Sequence, residues 1–510
     1  MKNLHRIKTG IIGLVMVGAW ASCSKSLLNE DLYSQIGSGT VSGAEGATLL
    51  TNGIYTNVQF LSYFGGNNFL LTTEAGTDEF FCNWGGTPPT DWGGQQNFLN
   101  MDAGHSMIND IWNNLYSMIS QANVIVTQYG NATDSLIKQR VAEARFWRGY
   151  AYEKLYYVYG PVPLVTSSTQ NLTNGIAKAD ATALLNFIET EMKAIETVLP
   201  PSYGSSDFGR PTSWAAKAFL ARHYLNTKQW QNASDYALQV INNNQGLGLM
   251  DDYASVFSQD GNKEVILAVN HVAQSQKGNK YVALSMESGM RNALGISGVS
   301  ASNGYGMAVP FFRTFAAGDK RVAPYDKTTG KGIAVSGILY DANGASVYVD
   351  ANNNPTTVEN GINRVVTLKW PVQMNIPNGE DASNDVALLR MGETYLTYAE
   401  AQNELNHPAV AAAILNPIRL RAGLGNYSTS ITQVALRDSI LQERGWELYH
   451  EGFRREDLLR AGKLLSSVSA KYQYYMGNTM PWGTNTDRLL DPIPTSALQL
   501  NTLLIQNKGY

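Results

Sequence analysis

Three stretches of this 510-residue chain interleave small and aromatic residues at helical spacing, and no other feature restricts the fold as much. Residues 135–159 set Ala142, Ala144, Gly149 and Ala151 among Phe146, Trp147, Tyr152 and Tyr156. Residues 213–226 and 234–242, with the approach to them, repeat the texture through Trp214, Ala215, Ala218 and Phe219, then Trp230, Ala233, Tyr236 and Ala237. Small residues at that spacing let a neighbouring helix come close, and the aromatics interlock with it, as in tetratricopeptide pairs. Residues 388–405 and 409–424 read as the same kind of hairpin, turning at Asn406, His407 and Pro408. Such pairs cannot bury their faces singly, so they are expected to stack into a right-handed scaffold. Further helices are predicted over 48–60, 107–129 and 181–198 from apolar residues three and four apart.

The expected class is therefore mainly α, a tetratricopeptide-like helix-pair scaffold with long irregular loops and a few short β-strands. The pairs are not adjacent in sequence. A block at about 246–385 separates them, with strands predicted at 265–270, 338–340, 347–349 and 365–369. Residues 61–104 read largely as loop, because Gly65-Gly66, Gly85-Gly86, Pro88-Pro89 and Gly93-Gly94 interrupt any periodicity. That loop is loaded with Phe64, Phe80, Phe81, Trp84 and Trp92.

Near the C-terminus, Val434, Leu441 and Leu448 fall seven apart with Ile440 beside them, predicting a helix packed on one side and stopped at Gly452. A second short amphipathic segment follows at 456–464. Glu443, Glu447 and Glu451 form one acidic line, with Arg437, Arg444, Arg454 and Arg455 close enough in sequence to answer it. A zinc reading of His450-Glu451 fails, since H-E-x-x-H needs a second His where Arg454 stands. As a catalytic pair, Glu443 and Glu447 would need surroundings that raise a pKa, whereas neighbouring arginines keep a carboxylate ionised; the line is read as a structural ion-pair network.

Composition bounds the remaining options. With 44% hydrophobic and 16% charged residues the chain can bury a large core. Its formal charge is −4, falling to −7 without Lys2, Arg6 and Lys8, so nothing basic invites nucleic acid. Those three residues and His5 precede a short apolar run, 11–20, too short to span a bilayer, which reads as a signal peptide over 1–22. Ala21 and Ser22 then stand directly before Cys23, as in bacterial lipoprotein signals, so Cys23 is expected to be acylated and 23–43 to serve as a tether. Lipidation of Cys23 leaves Cys82 without a partner, and no structural disulfide is expected. The six His residues are isolated, Gly295-Ile296-Ser297-Gly298 is not a nucleophile elbow, and no phosphate loop or dinucleotide fingerprint occurs. No metal site or cofactor is indicated, and a structural calcium ion is left open.

Ten Trp and 27 Tyr alongside 47 Gly suggest aromatic surfaces on Gly-rich loops. A sugar ring offers apolar C–H faces inside a hydroxyl rim, so it calls for a flat aromatic face bordered by neutral or acidic hydrogen-bonding groups. In the 61–104 loop Trp84, Trp92 and Phe81 supply rings, and Asp78, Asn83, Gln95, Gln96 and Asn97 the polar rim. The competing reading folds these rings back as a satellite core under a long loop.

The run E-R-G-W-E-L-Y-H-E-G-F-R-R-E-D-L-L-R-A-G-K-L from Glu443 resembles the C-terminal signature of the SusD/RagB family of outer-membrane nutrient-capture lipoproteins. Gly445 and Trp446 stand where an acidic or basic residue is commoner in that family. N-G-Y-G-M-A-V-P-F-F from Asn303 with D-K-R from Asp319, L-R-M-G-E-T-Y-L-T-Y-A-E-A from Leu389 with L-N-P-I-R-L-R-A-G-L from Leu415, and the ending P-I-P-T-S-A-L-Q-L-N-T-L-L-I-Q-N-K-G-Y agree in the family's order. The resemblance implies one SusD-like unit over 44–510, the helices as scaffold and the insertions as ligand face. It also implies ligand contacts from a second block around 286–305, with Arg291 and Tyr305 as candidates and Tyr474, Tyr475 and Trp482 as further ones. By the same resemblance the chain is not an enzyme. It is expected to sit lipid-anchored on the outer membrane, facing the cell exterior, and to pass oligosaccharide to a SusC-like TonB-dependent transporter. Oligopeptide cargo and a surface glycoside hydrolase using a carboxylate pair are the alternatives.

Overall fold

The computed structural model describes residues 42–62, 69–83, 92–286, 291, 298–322, 339–340, 346–347 and 364–510. The chain opens with α1 (Gly43–Val58), then α2 (Phe69–Ala75), β1 (Phe80–Cys82) and α3 (Trp92–Asn97). A run of helices follows: α4 (Ser106–Tyr129), α5 (Ser135–Tyr159), α6 (Ala181–Lys193), α7 (Ser213–Asn226) and α8 (Trp230–Ile241). The starts of α5, α6 and α7 are set locally by side chains that accept otherwise unpaired backbone N–H groups. Asp134 takes Ile137 N at 2.9 Å for α5, Asp180 takes Thr182 N at 2.8 Å for α6, and Thr212 takes Ala215 N at 3.2 Å for α7. Gly160, at φ 72°, ends α5 where the sequence places Gly-Pro.

Next come α9 (Tyr253–Ser258), β2 (Val265–Val269), α10 (Tyr281–Ser285), β3 (Tyr305–Ala308), α11 (Val309–Phe312), β4 (Leu339–Tyr340), β5 (Ser346–Val347), β6 (Arg364–Val365) and β7 (Val386–Arg390). The chain closes with α12 (Met391–Glu404), α13 (Pro408–Arg421), α14 (Gln433–Leu448), α15 (Arg454–Arg460), α16 (Leu464–Met476) and α17 (Thr495–Leu500). The predicted strand at 265–270 is present as β2, and of the predicted pairing of 338–340 with 347–349 the described residues show Leu339 opposite Val347 and Tyr340 opposite Ser346, residues 338, 348 and 349 lying outside them. Residues 61–104 are less irregular than expected, since α2, β1 and α3 lie within them. Residues 388–390, expected to open a helix, instead finish a strand.

The two predicted hairpins are present, α7 on α8 and α12 on α13, and α5 packs between α4 and α6. Hairpins remote in sequence meet through α8 against α12. They can meet because β2 pairs antiparallel with β7, Val265 opposite Arg390 and Val269 opposite Val386. The two ends of the intervening block are thereby zipped together, and the block leaves and rejoins the scaffold at one place. At the centre of the scaffold Trp147 is fully buried, its ring edge-on to Tyr55 and Phe146 at centroid distances of 5.7 and 5.2 Å. A second core gathers under the irregular segments, around Phe80, Tyr281, Met307, Val365 and Trp370.

Candidate ligand-binding face

Strand β1 comes from the aromatic loop and β3 from the second block, and the two pair antiparallel, Cys82 opposite Tyr305 and Phe80 opposite Met307, with β6 on the far side of β3. The two segments singled out for ligand contact are thus held side by side by main-chain hydrogen bonds. Gly306 lets β6 lie close on the far side of β3, since a Cβ there would stand 2.6 Å from the Val365 carbonyl oxygen. At the end of the pair, Asn83 donates its backbone N–H to Gly304 O at 2.7 Å and its side-chain amide to Asn303 O at 3.0 Å. Asn97 folds back on β1, donating to Cys82 O at 2.7 Å and accepting from Cys82 N at 2.8 Å. Arg364, which sequence reasoning passed over, fixes the neighbouring turn by donating to Tyr305 O at 3.1 Å and to the side-chain oxygen of Asn303, whose φ is 54°. A buried arginine in a two-residue strand leaves no periodic signal.

Asn83 and Gln95 are half-buried, with Gln95 Oε1 accepting from Asp102 N at 3.1 Å; Arg291 is half-buried. Trp84 lies outside the described residues, and Trp92 begins α3 with its side chain outside them. Phe81 and Tyr305, expected among the ligand rings, are buried to 3% and 1% exposure. The reason is strand alternation inside a covered sheet: Phe81 packs on Tyr475 at 4.3 Å between centroids, and Tyr305 on Phe80 at 5.5 Å. Asp78 is drawn away from the rim by Arg454, whose Nε and Nη2 donate to its two oxygens at 2.8 Å each. Trp482 donates to Phe98 O at 2.7 Å, while Tyr474 stays 42% exposed with the Arg313 guanidinium 5.4 Å from its ring centre.

The acidic line, with Glu443 and Glu447 on α14 and Glu451 in the turn after it, is structural, with different partners from those expected. Glu443, Glu447 and Glu451 are all buried. Arg321 and Arg419 reach Glu443 at 2.7 Å each; Arg390 and Arg421 reach Glu447 at 2.9 and 2.5 Å; Lys369 and Arg390 reach Glu451 at 2.6 and 2.7 Å. The arginines near in sequence are engaged elsewhere, Arg437 with Glu404, Arg444 with Asp457, Arg454 with Asp78 and Arg455 with Asp491. Burial alone would raise the Glu447 pKa, but Arg421, Arg390 and Arg321 outweigh it and hold the carboxyl at about 2, the opposite of what a general acid needs. The described residues hold no cluster of three or more His, Cys, Asp or Glu fit for a metal, and no helix among them is long and apolar enough to cross a membrane.

A family model described as the SusD family matches residues 169–510, well over half of the chain. The chain belongs to the SusD family. A second model, described as starch-binding associating with outer membrane, matches residues 90–225. Among relatives, SusD-like protein P25 of Formosa agariphila is 24% identical over 439 residues, covering 79% of this chain and 80% of its own length. The starch-binding protein SusD of Bacteroides thetaiotaomicron is 25% identical over 448 residues, covering 77% of this chain and 76% of its own length. A laminarin binding SusD-like protein superposes with a TM-score of 0.73 at 24% identity over 91% of this chain and 99% of its own. Surface glycan-binding protein A from Bacteroides uniformis does so with a TM-score of 0.73 at 20% identity, over 91% and 99% respectively. These two structures share the fold. SusD family members are binding proteins rather than enzymes and associate with the outer membrane at the cell surface.

Proposed function

We propose that this SusD-family chain captures an uncharged oligosaccharide at the cell surface and hands it to a SusC-like TonB-dependent transporter. The observation that carries the reading is the β1–β3 pairing, which joins the base of the aromatic loop to the second block and sets Asn83 at their junction. The proposed contacts are the neutral amides of Asn83 and Gln95, with Trp84 and Trp92 as stacking rings and Arg291 as a further donor. Neutral amides orient hydroxyls, and a guanidinium adds donors for them. Relatives named for starch, laminarin and surface glycans point the same way. Phe81 and Tyr305 are buried and Asp78 is paired with Arg454, so they are not part of the proposed contact surface.

Affinity electrophoresis through gels containing neutral polysaccharides tests the reading. The wild type is expected to be retarded by one of them, and Trp84→Ala with Trp92→Ala to migrate freely at an unchanged melting temperature. A large fall in melting temperature assigns these rings to the core, because truncating a buried Trp costs roughly 3–5 kcal/mol. Retention of peptides and of no glycan, or the release of new reducing ends, overturns the proposal.

A further inference from the structure

A separate concavity of about 360 Å³ lies between the second half of α1, the loop ahead of α7 and β2, within the roughly 300–1,000 Å³ typical of ligand pockets. None of the residues lining it carries a charge. Thr56, Asn52, Gln59 and Asn270 supply a hydroxyl and three amides, and each keeps hydrogen-bonding capacity unspent among the described residues. Asn52 uses only its oxygen, for Arg210, while Gln59 and Asn270 use only their nitrogens, for Lys277 O and Phe208 O. A second hollow of about 380 Å³ adjoins the first, sharing Phe208, Gly209 and Ala268 with it and adding the rings of Tyr203 and Trp214; Arg210 and Lys263 stand in its wall. Phe208, 36% exposed, forms the partition.

The partition is built rather than incidental. Asn270 Nδ2 donates to Phe208 O at 2.6 Å. Gly209, at φ +92°, is what lets the loop lie so close, since a Cβ there would meet the Asn270 amide at 2.8 Å. Arg210 pins the next position, donating to Asp207, Glu143 and Asn52 at 2.7, 2.8 and 2.7 Å. A loop held at successive residues presents its ring with little ordering left to lose on binding.

We propose that this pair of hollows is a second glycan site, in which an uncharged oligosaccharide straddles Phe208 with one sugar residue on either side of the ring. The inference rests on the glycan reading of the chain. The first hollow offers donors and acceptors without charge beside an exposed aromatic face, and the second adds two aromatic rings with Arg210 and Lys263 as cationic donors only, a lining that matches a polyhydroxylated ligand. A peptide strand fits less well: it would have to run along β2, and the Phe208–Gly209 loop is fastened across that strand at Asn270.

Hydrogen–deuterium exchange of the whole chain, with and without a panel of neutral gluco-, manno-, xylo- and galacto-oligosaccharides, reads the two sites separately. One member is expected to slow exchange at 203–210 and 268–271 as well as at 84–97. The slowing at 203–210 is expected to persist in the Trp84→Ala/Trp92→Ala double variant and to vanish in Phe208→Ala. If Phe208→Ala melts early, Thr56→Val, an isosteric change at an exposed position, carries the test by the same loss. Slowing confined to 84–97 overturns the second site and leaves the first reading standing. Slowing at neither place overturns both, and slowing at 203–210 by an extended peptide in place of sugar overturns the glycan assignment of this site alone.

Discussion

Glu447 is a carboxylate whose removal can be foreseen from its surroundings, because Arg390 and Arg421 are buried against it and have no water to turn to. Glu447→Gln is expected to destabilise the fold by ~3–5 kcal/mol, the usual cost of breaking a buried pair from one side, with glycan retention intact in the folded fraction; urea unfolding measures it. Because this carboxyl is held down at about 2, its stabilisation is complete above the ordinary carboxylate range and is lost as pH falls toward 2. Glu447→Gln should therefore flatten the acid limb of the stability curve. The buried pair Glu74 and Glu79 has the opposite sign. Each accepts a backbone N–H from the turn after α14, Glu74 from Gly452 and Glu79 from His450, and among the described residues the second oxygen of each has no donor to meet except the partner carboxyl, with which it shares a proton. Burial raises both, Glu79 further through the charge of Glu74, and Glu74 is pushed up to about 7. Their protonated form stabilises the fold at low pH, and that contribution is lost as pH rises through about 7. Thermal melts from pH 4 to 9 are expected to decline in the wild type as pH rises from the ordinary carboxylate value of 4.5 through about 7, and to decline less in Glu79→Gln, whose amide stands in for the shared proton. The acidic line itself was legible in the sequence. Its partners were not, since Arg321 and Arg390 stand 122 and 57 residues from the glutamates they meet. Gly445, unusual for the signature, is explained by space: a Cβ there would lie 2.7 Å from the Arg454 guanidinium.

At the scale of elements, long helices were readable and short ones were not. The spacing over 107–129 and 135–159 spans several turns, whereas α2 and α3 are only 7 and 6 residues long, and glycine pairs flank or fill that stretch. In α14 the helix was foreseen but its buried face was partly misassigned: Val434 is 68% exposed, and the face that packs runs through Leu436, Ile440, Glu443 and Glu447. Apolar spacing cannot register a face whose inner residues are charged. The three-stranded β1–β3–β6 sheet depends on one small residue. Gly306→Ala is expected to destabilise by ~1–3 kcal/mol, as overpacking does when the clash is with main chain that cannot rotate aside, and to loosen the junction at Asn83. A lowered melting temperature with weaker retention in polysaccharide gels would bear this out, and an unchanged melt would show that the sheet has slack.

The whole molecule combines a scaffold whose pairing could be read from residue size with a ligand face whose layout depends on strands as short as two residues. Small-against-aromatic spacing marks the α7–α8 hairpin, and α12–α13 was read as one of the same kind, because close approach needs small residues on a shared face; that α8 meets α12 was not marked. Nothing comparable marks β1 for β3. Membrane attachment belongs to this scale as well. Cys23→Ala is expected to release the protein from outer-membrane fractions in cells lacking the transporter, since a lipid chain would be its sole anchor; retention through a salt wash would refute acylation as the attachment. The β2–β7 zipper, finally, has a bearing on inheritance. An insertion that departs and returns through one doorway can change in its outer loops so long as Arg321 and Lys369 stay to answer Glu443 and Glu451. A lineage adapting to a new food source could therefore rewrite its bait around those two fixed knots.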